Sequence, residues 1–130
     1  MTNAQRVSSG SVFETTIGFS RALRVGDRVL VSGTAPVWPD GHCPEDPALQ
    51  ARRCLDIITT ALAEVGATPD DVVRTRMFLT HPADAAAVGR VHAEVFSAAR
   101  PAATMVVVAA LLDHRWRVEI EAEAVVTPVG

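Results

Sequence analysis

The most regularly spaced charged residues fall on two stretches that alternate like strands. Val72 to Thr80 sends Val73, Thr75, Met77 and Leu79 to one side and Arg74, Arg76 and Phe78 to the other. Trp116 to Val126 alternates more strictly, with Val118, Ile120, Ala122 and Ala124 against Arg117, Glu119, Glu121 and Glu123. A shared apolar side covered by helices brings Arg74, Arg76 and these glutamates together on the opposite face. Arginine forks grip carboxylates bidentately, and a glutamate can orient water and move a proton. Two accounts fit such a face. One is a wet sheet surface with scattered ion pairs, each contributing under about 1 kcal/mol. The other is a subunit interface lined by paired charges, with a polar pocket at its rim.

Other chemistries find little support. No Lys occurs, so a Schiff base can form only at the chain's own amino terminus, which excludes lysine-based aldolase or pyridoxal chemistry. His42, His81 and His114 lie in loops and His92 on a helix stripe, without the spacing that sets two ligands on one helical face, so no metal is expected. His92 reads as a packed, hydrogen-bonded histidine. Cys43 falls in a Pro/Gly loop and Cys54 on the apolar side of a helix, which gives no disulfide framework and points to a reducing cytoplasm. Nucleophile-elbow, Walker and dinucleotide-binding motifs are absent. Twelve Lys+Arg against fifteen Asp+Glu give a net charge of −3, and with no Lys and no Tyr the composition argues against nucleic acid as a partner. Met1 to Arg6 leads into a Ser/Gly stretch, and no apolar run approaches the roughly 18 residues of a membrane span, so an unexported protein with no membrane partner is expected.

The 130 residues, 48% of them hydrophobic, fit one domain over 1–130. At this size a sizeable pocket points to a second subunit. Gly26-Asp27 joins two apolar strands as a tight hairpin. Gly33 to Pro47 holds four prolines and two glycines and reads as a surface loop over a site, with Trp38 as its packing anchor. Asp46-Pro47 and Gly66 bracket a helix whose stripe is Ala51, Cys54, Leu55, Ile58, Ala61, Leu62 and Val65. A second helix runs from about Ala83 to Ala98, with Gly89 as a point of close helix approach. Ala102 to Ala110, apolar on both faces, predicts a central strand. The order β-β-α-β-α-β-β predicts a mixed sheet with both helices on one face.

Five segments then carry a resemblance in order and spacing: Ile17 to Ala22, Val31 to Pro36, Gln50 to Leu55, Arg100 to Ala103 and Val118 to Ala122. Together they resemble the RidA/YjgF family, also labelled endoribonuclease L-PSP, along essentially the whole chain. The resemblance implies a chorismate-mutase-like α+β subunit (bacillus type) and a homotrimer whose sheets meet around the axis, with small-molecule clefts between subunits. It implies hydrolytic deamination of reactive enamines and imines, with no metal or cofactor. Residue by residue, Glu119 matches the catalytic, water-positioning glutamate. Ser32 and Gly33 match the cleft wall, and Phe19 stands where the deaminases usually have tyrosine. The chain departs at Ala103, where those deaminases place the arginine that grips the substrate carboxylate, and at Met105, where they place a small cleft residue.

Loss of a buried contact to a charged group costs on the order of 2–5 kcal/mol, so ordinary 2-imino-acid deamination is expected to be impaired. Three readings follow. Another arginine supplies the charge, Arg76 first, with Arg100 and Arg117 behind it. Alternatively the substrate lacks an α-carboxylate and meets an apolar cleft of Phe19, Met105 and Trp116. The third is a metabolite-binding or regulatory trimer without turnover.

Overall fold

Ala4–Val7 forms the first strand, β1, in which Val7 alone is buried. Gln5 and Arg6 leave it no apolar alternation, so the sequence carries no strand signal there. It pairs antiparallel with β2 (Ala22–Val25), which turns through Gly26 at φ +62 into β3 (Arg28–Thr34). Between β1 and β2 the chain makes one wide helical turn at Glu14–Gly18. The computed structural model describes residues 4–127.

Helix α1 (Pro47–Glu64) starts where Asp46 accepts a hydrogen bond from the Ala48 amide and proline occupies the first turn, and the chain leaves it through Gly66 at φ +80. A short 3-10 turn leads to β4 (Val72–Leu79), another leads to α2 (Ala85–Phe96), and β5 (Ala102–Val107) and β6 (Val118–Val125) complete the chain. The six-stranded sheet runs β1-β2-β3-β6-β4-β5, with the β4–β5 pair parallel and the rest antiparallel. Helix α1 lies over β3 and β6, and α2 lies beside it, so this is an α+β fold with both main helices on one face of one mixed sheet. Leu55, Ile58 and Leu62 of α1 and Val88 and Val91 of α2 bury against Val29, Val31, Met77, Leu79, Val118 and Ile120. Cys54 lies in the same core as a small hydrophobe. His92 of α2 shares a 2.8 Å hydrogen bond with Thr75, in agreement with its reading as a packed histidine.

Four expectations are corrected. β5 is an edge strand, not a central one, and most of its residues are exposed. Its apolar run reports that both faces avoid polar residues, which a strand covered from outside the chain satisfies as well as a mid-sheet strand. The alternation of β4 breaks at Val73, which is 48% exposed, because Val72 pairs with Ala124 and Arg74 with Glu123, leaving Val73 as an extra, bulged residue. Gly89 makes no close approach, since a Cβ there would meet nothing within 4 Å. The final strand begins at Val118, and Trp116 is buried just before it.

A second bulge positions the site. Val31 pairs with Ala122 and Thr34 with Ile120, so β3 carries one more residue than β6 at Ser32-Gly33. The extra residue turns Thr34 inward with Val29 and Val31 and sets Gly33 against Glu119.

Candidate functional site

A cavity of about 650 Å³ opens beside that bulge. Glu119 enters it from β6, with its Oε2 2.8 Å from where a Cβ on Gly33 would stand, so glycine leaves the carboxylate its room. Glu119 is half-buried, and its pKa lies above the ordinary carboxylate value. Burial is the main cause, opposed by the Arg21 charge and reinforced by that of Glu121.

Arg21 stands on the same wall, 6% exposed. Its amide donates to Val7 and its carbonyl accepts from Ser32, so its backbone is fixed between β1 and β3. Its Nη1 donates to the Gly33 carbonyl at 2.7 Å and to Thr34 Oγ1 at 3.1 Å, while its Nε reaches Glu14 at 3.4 Å. The Phe19 ring centroid lies 5.3 Å from the guanidinium carbon. Glu14 is buried, and burial works to raise its pKa. The Ser9 and Ser8 hydroxyls, the Ser9 amide and Arg21 outweigh that and hold it below the ordinary value.

The remaining walls are mostly apolar. Phe13 meets Trp116 edge-to-face with ring centroids 6.3 Å apart, and Ile17, Phe19 and Leu112 extend the surface. The proline-rich loop contributes Val37, Trp38 and Pro39, and Arg53 of α1 holds it by donating from Nε to the Val37 carbonyl at 2.6 Å. Gln50, fully buried, ties this loop to the segment before β6: it donates to Pro44 and Arg115 carbonyls and accepts from the Arg117 amide.

Of the residues singled out from sequence, Phe19, Ser32, Gly33, Trp116 and Glu119 line this cavity, as does Trp38 of the proline-rich loop. The Ser32 hydroxyl donates to the Ser20 carbonyl at 2.7 Å, so it acts as wall and brace. Arg76, Ala103 and Met105 lie outside its lining. Arg76 bonds Glu121 at 2.9 Å and approaches Glu123 at 3.9 Å. Met105 packs on the core from β5, and Ala103 is exposed on that strand. Arg117 is held by buried Asp84 through bonds of 2.8 and 3.0 Å, and Arg100 is exposed. Sequence reasoning passed over Arg21 and Arg53 as lining cations. Arg21 precedes Ala22, and both are buried, so alternation offers no signal there. Among the described residues, no three His, Cys, Asp or Glu side chains converge as a metal site requires, and no helix is long and apolar enough to cross a membrane.

The family model described as endoribonuclease L-PSP matches residues 10–126. The chain belongs to the RidA/YjgF family. A relative from Escherichia coli, 2-iminobutanoate/2-iminopropanoate deaminase, is 33% identical over 82% of this chain and 86% of its own length. An uncharacterized protein of Streptomyces coelicolor is 42% identical over 92% of this chain and 90% of its own. Among solved structures, a YjgF/YER057c/UK114 family member from Mycobacterium tuberculosis superposes with a TM-score of 0.88 at 44% identity. That match covers 95% of this chain and all 100% of the other. The α+β sheet and helix pair described above are therefore the RidA/YjgF, chorismate-mutase-like subunit fold.

Proposed function

We propose that this RidA/YjgF chain binds a small molecule in the Glu119 cavity and hydrolyses a reactive imine or enamine there. The observation that carries this reading is Glu119 itself, a half-buried carboxylate of raised pKa in a largely apolar cavity, kept clear of steric contact by Gly33. Such a group is basic enough to take a proton and is held away from bulk water. Water adds its oxygen to the C=N carbon while Glu119 accepts one of its protons, and the imine nitrogen becomes an amine. Glu119 returns the proton to that nitrogen to give a carbinolamine, then carries the hydroxyl proton to the same nitrogen as the C–N bond breaks, ammonia leaves and the C=O bond forms. One imine and one water give one carbonyl compound and one ammonia. Phe19, Ser32 and Gly33 shape the wall against which the substrate lies.

The proposed assembly is a homotrimer in the cytoplasm. Its support is β5, an apolar edge strand left uncovered by its own chain, and the free thiols of Cys43 and Cys54 suit a reducing compartment. In that assembly Arg76, Ala103 and Met105 reach a cleft only across a subunit boundary. A second reading, a metabolite-binding or regulatory trimer without turnover, is favoured by one observation: position 103 carries alanine and supplies no charge.

The test couples an amino-acid oxidase that releases short-lived imines to wild type, Glu119→Gln and Ala103→Arg. Wild type accelerates imine loss, and Glu119→Gln loses at least about a hundredfold of that acceleration. Wild-type inactivity with activity gained in Ala103→Arg selects the binding reading.

A further inference from the structure

The cavity holds two cations that sequence patterning did not single out, and one of them is set for a ligand. Arg21 spends Nη1 on the Gly33 carbonyl and Thr34 and Nε on Glu14, but among the described residues no protein acceptor takes its Nη2. That atom keeps some exposure, because Arg21 is absent from the buried groups left without a partner, and Arg21 lines both this cavity and a smaller neighbouring one beside Ser8, Ala61 and Glu64. A guanidinium fixed at one end, resting on an aromatic ring and sharing a cavity lining with Glu119 is a preorganised anion donor. Arg53 lines the same cavity and adds positive charge at the loop side.

Size and lining set the other half of the ligand. Within one chain the cavity, about 650 Å³, has room beyond the needs of a three- or four-carbon acid. Phe13, Ile17, Phe19, Trp38, Leu112 and Trp116 offer it aromatic and aliphatic surface.

We infer that Arg21 is the specificity-determining residue of this cavity, and that its ligand is a carboxylate bearing a bulky, apolar, preferably aromatic body. The anion lies on Arg21 Nη2, and the apolar body lies on the aromatic walls. In an α-imino acid the C=N carbon is bonded to the carboxylate carbon, so an anion on Arg21 delivers the reacting atom to Glu119. The inference deepens the proposed function by naming its substrate class. It rests on that reading for the imine but not for the anion.

Direct binding separates the two. Phenylacetate, its neutral isostere phenylacetamide and acetate are titrated calorimetrically into the intact wild-type protein, into Arg21→Gln and into Arg21→Lys. In wild type, phenylacetate binds at least about tenfold tighter than either comparator, the scale of one charge-assisted hydrogen bond. Arg21→Gln abolishes the preference for carboxylate over amide, and Arg21→Lys restores part of it. Equal binding of phenylacetate and phenylacetamide by wild type overturns the inference without need of any variant, as does absence of binding by both. A preference that survives in folded Arg21→Gln also overturns it. Arg21-dependent carboxylate binding without imine turnover leaves the inference standing and removes the hydrolytic reading. Turnover without the preference does the reverse.

Discussion

Glu119 combines three local conditions: burial that raises its pKa, Arg21 that draws it back down, and a glycine where any other residue would push on its carboxylate. The raised pKa sets two pH dependences. Hydrolysis needs the ionised base, so the acid limb of the rate profile lies above the ordinary carboxylate value of 4.5, and Glu119→Gln removes it. Stability has the opposite sign. A carboxylate whose folded pKa is raised binds more protons in the native state than in the unfolded one, so its contribution worsens as pH rises from about 4.5 through the folded value. Thermal denaturation therefore finds Glu119→Gln more stable than wild type at pH 7, and the gap closes in acid. Gly33→Ala probes the steric condition. Gly33 has no left-handed φ, and the three atoms nearest an added Cβ all belong to the Glu119 side chain, Oε2 at 2.8 Å and the carboxyl carbon at 3.2 Å first. The carboxylate swings away at little cost in stability. Expected is a Tm close to wild type with turnover reduced up to about a hundredfold, because a displaced base is a misplaced one.

At the scale of elements, the cavity is made where irregular segments are pinned to regular ones. Gln50, at the start of α1, bonds backbone groups at Pro44, Arg115 and Arg117, and so fastens the proline-rich loop and the approach to β6 to one buried amide. Trp116 lies between the Arg115 and Arg117 anchors and Trp38 precedes the Pro44 anchor, both on the cavity wall. Gln50→Leu keeps the volume but strands a backbone amide and two carbonyls. It is expected to cost about 2–3 kcal/mol in denaturant unfolding and to weaken ligand binding in the same protein. A cost below about 0.5 kcal/mol would show that water replaces the amide.

For the whole molecule, β5 is the unresolved account within one chain. Val106 and Val107 are 40% and 50% exposed on an apolar edge strand, next to a sheet face whose charges pair among themselves: Arg76 with Glu121 and Glu123, and Arg28 with Glu123 at 3.8 Å. A long apolar edge invites pairing with another copy, and a charge placed on it opposes that. Val106→Lys is expected to leave the secondary structure intact, because the side chain is part-exposed already, and to shift sedimentation from the proposed trimer to monomer. A wild type that sediments as a monomer removes the intersubunit cleft.

The local elements were legible in the sequence because their causes are local. Gly26-Asp27 dictates a hairpin, Asp46-Pro47 a helix start and Gly66 its end, and the periodicities of 47–64 and 118–125 report which face of each element avoids water. The family resemblance added Glu119, Gly33, Ser32 and Phe19, which do line one cavity. Periodicity could not supply what depends on one bulged residue, since a single insertion at Ser32-Gly33 or Val73 reverses the parity of everything beyond it. Nor could it rank strands by neighbour, which is why the apolar β5 reads as central and lies at the edge. Arg21 is the clearest case. Alternation does not mark it, and it becomes a cavity wall only when β3 and β6 bring Gly33, Thr34 and Glu119 around it. Sequence determined the pieces and their inward faces by short-range backbone geometry and hydrophobicity. Tertiary structure alone decided which charges meet, because those contacts join residues far apart in the chain through a register that the local pattern does not encode.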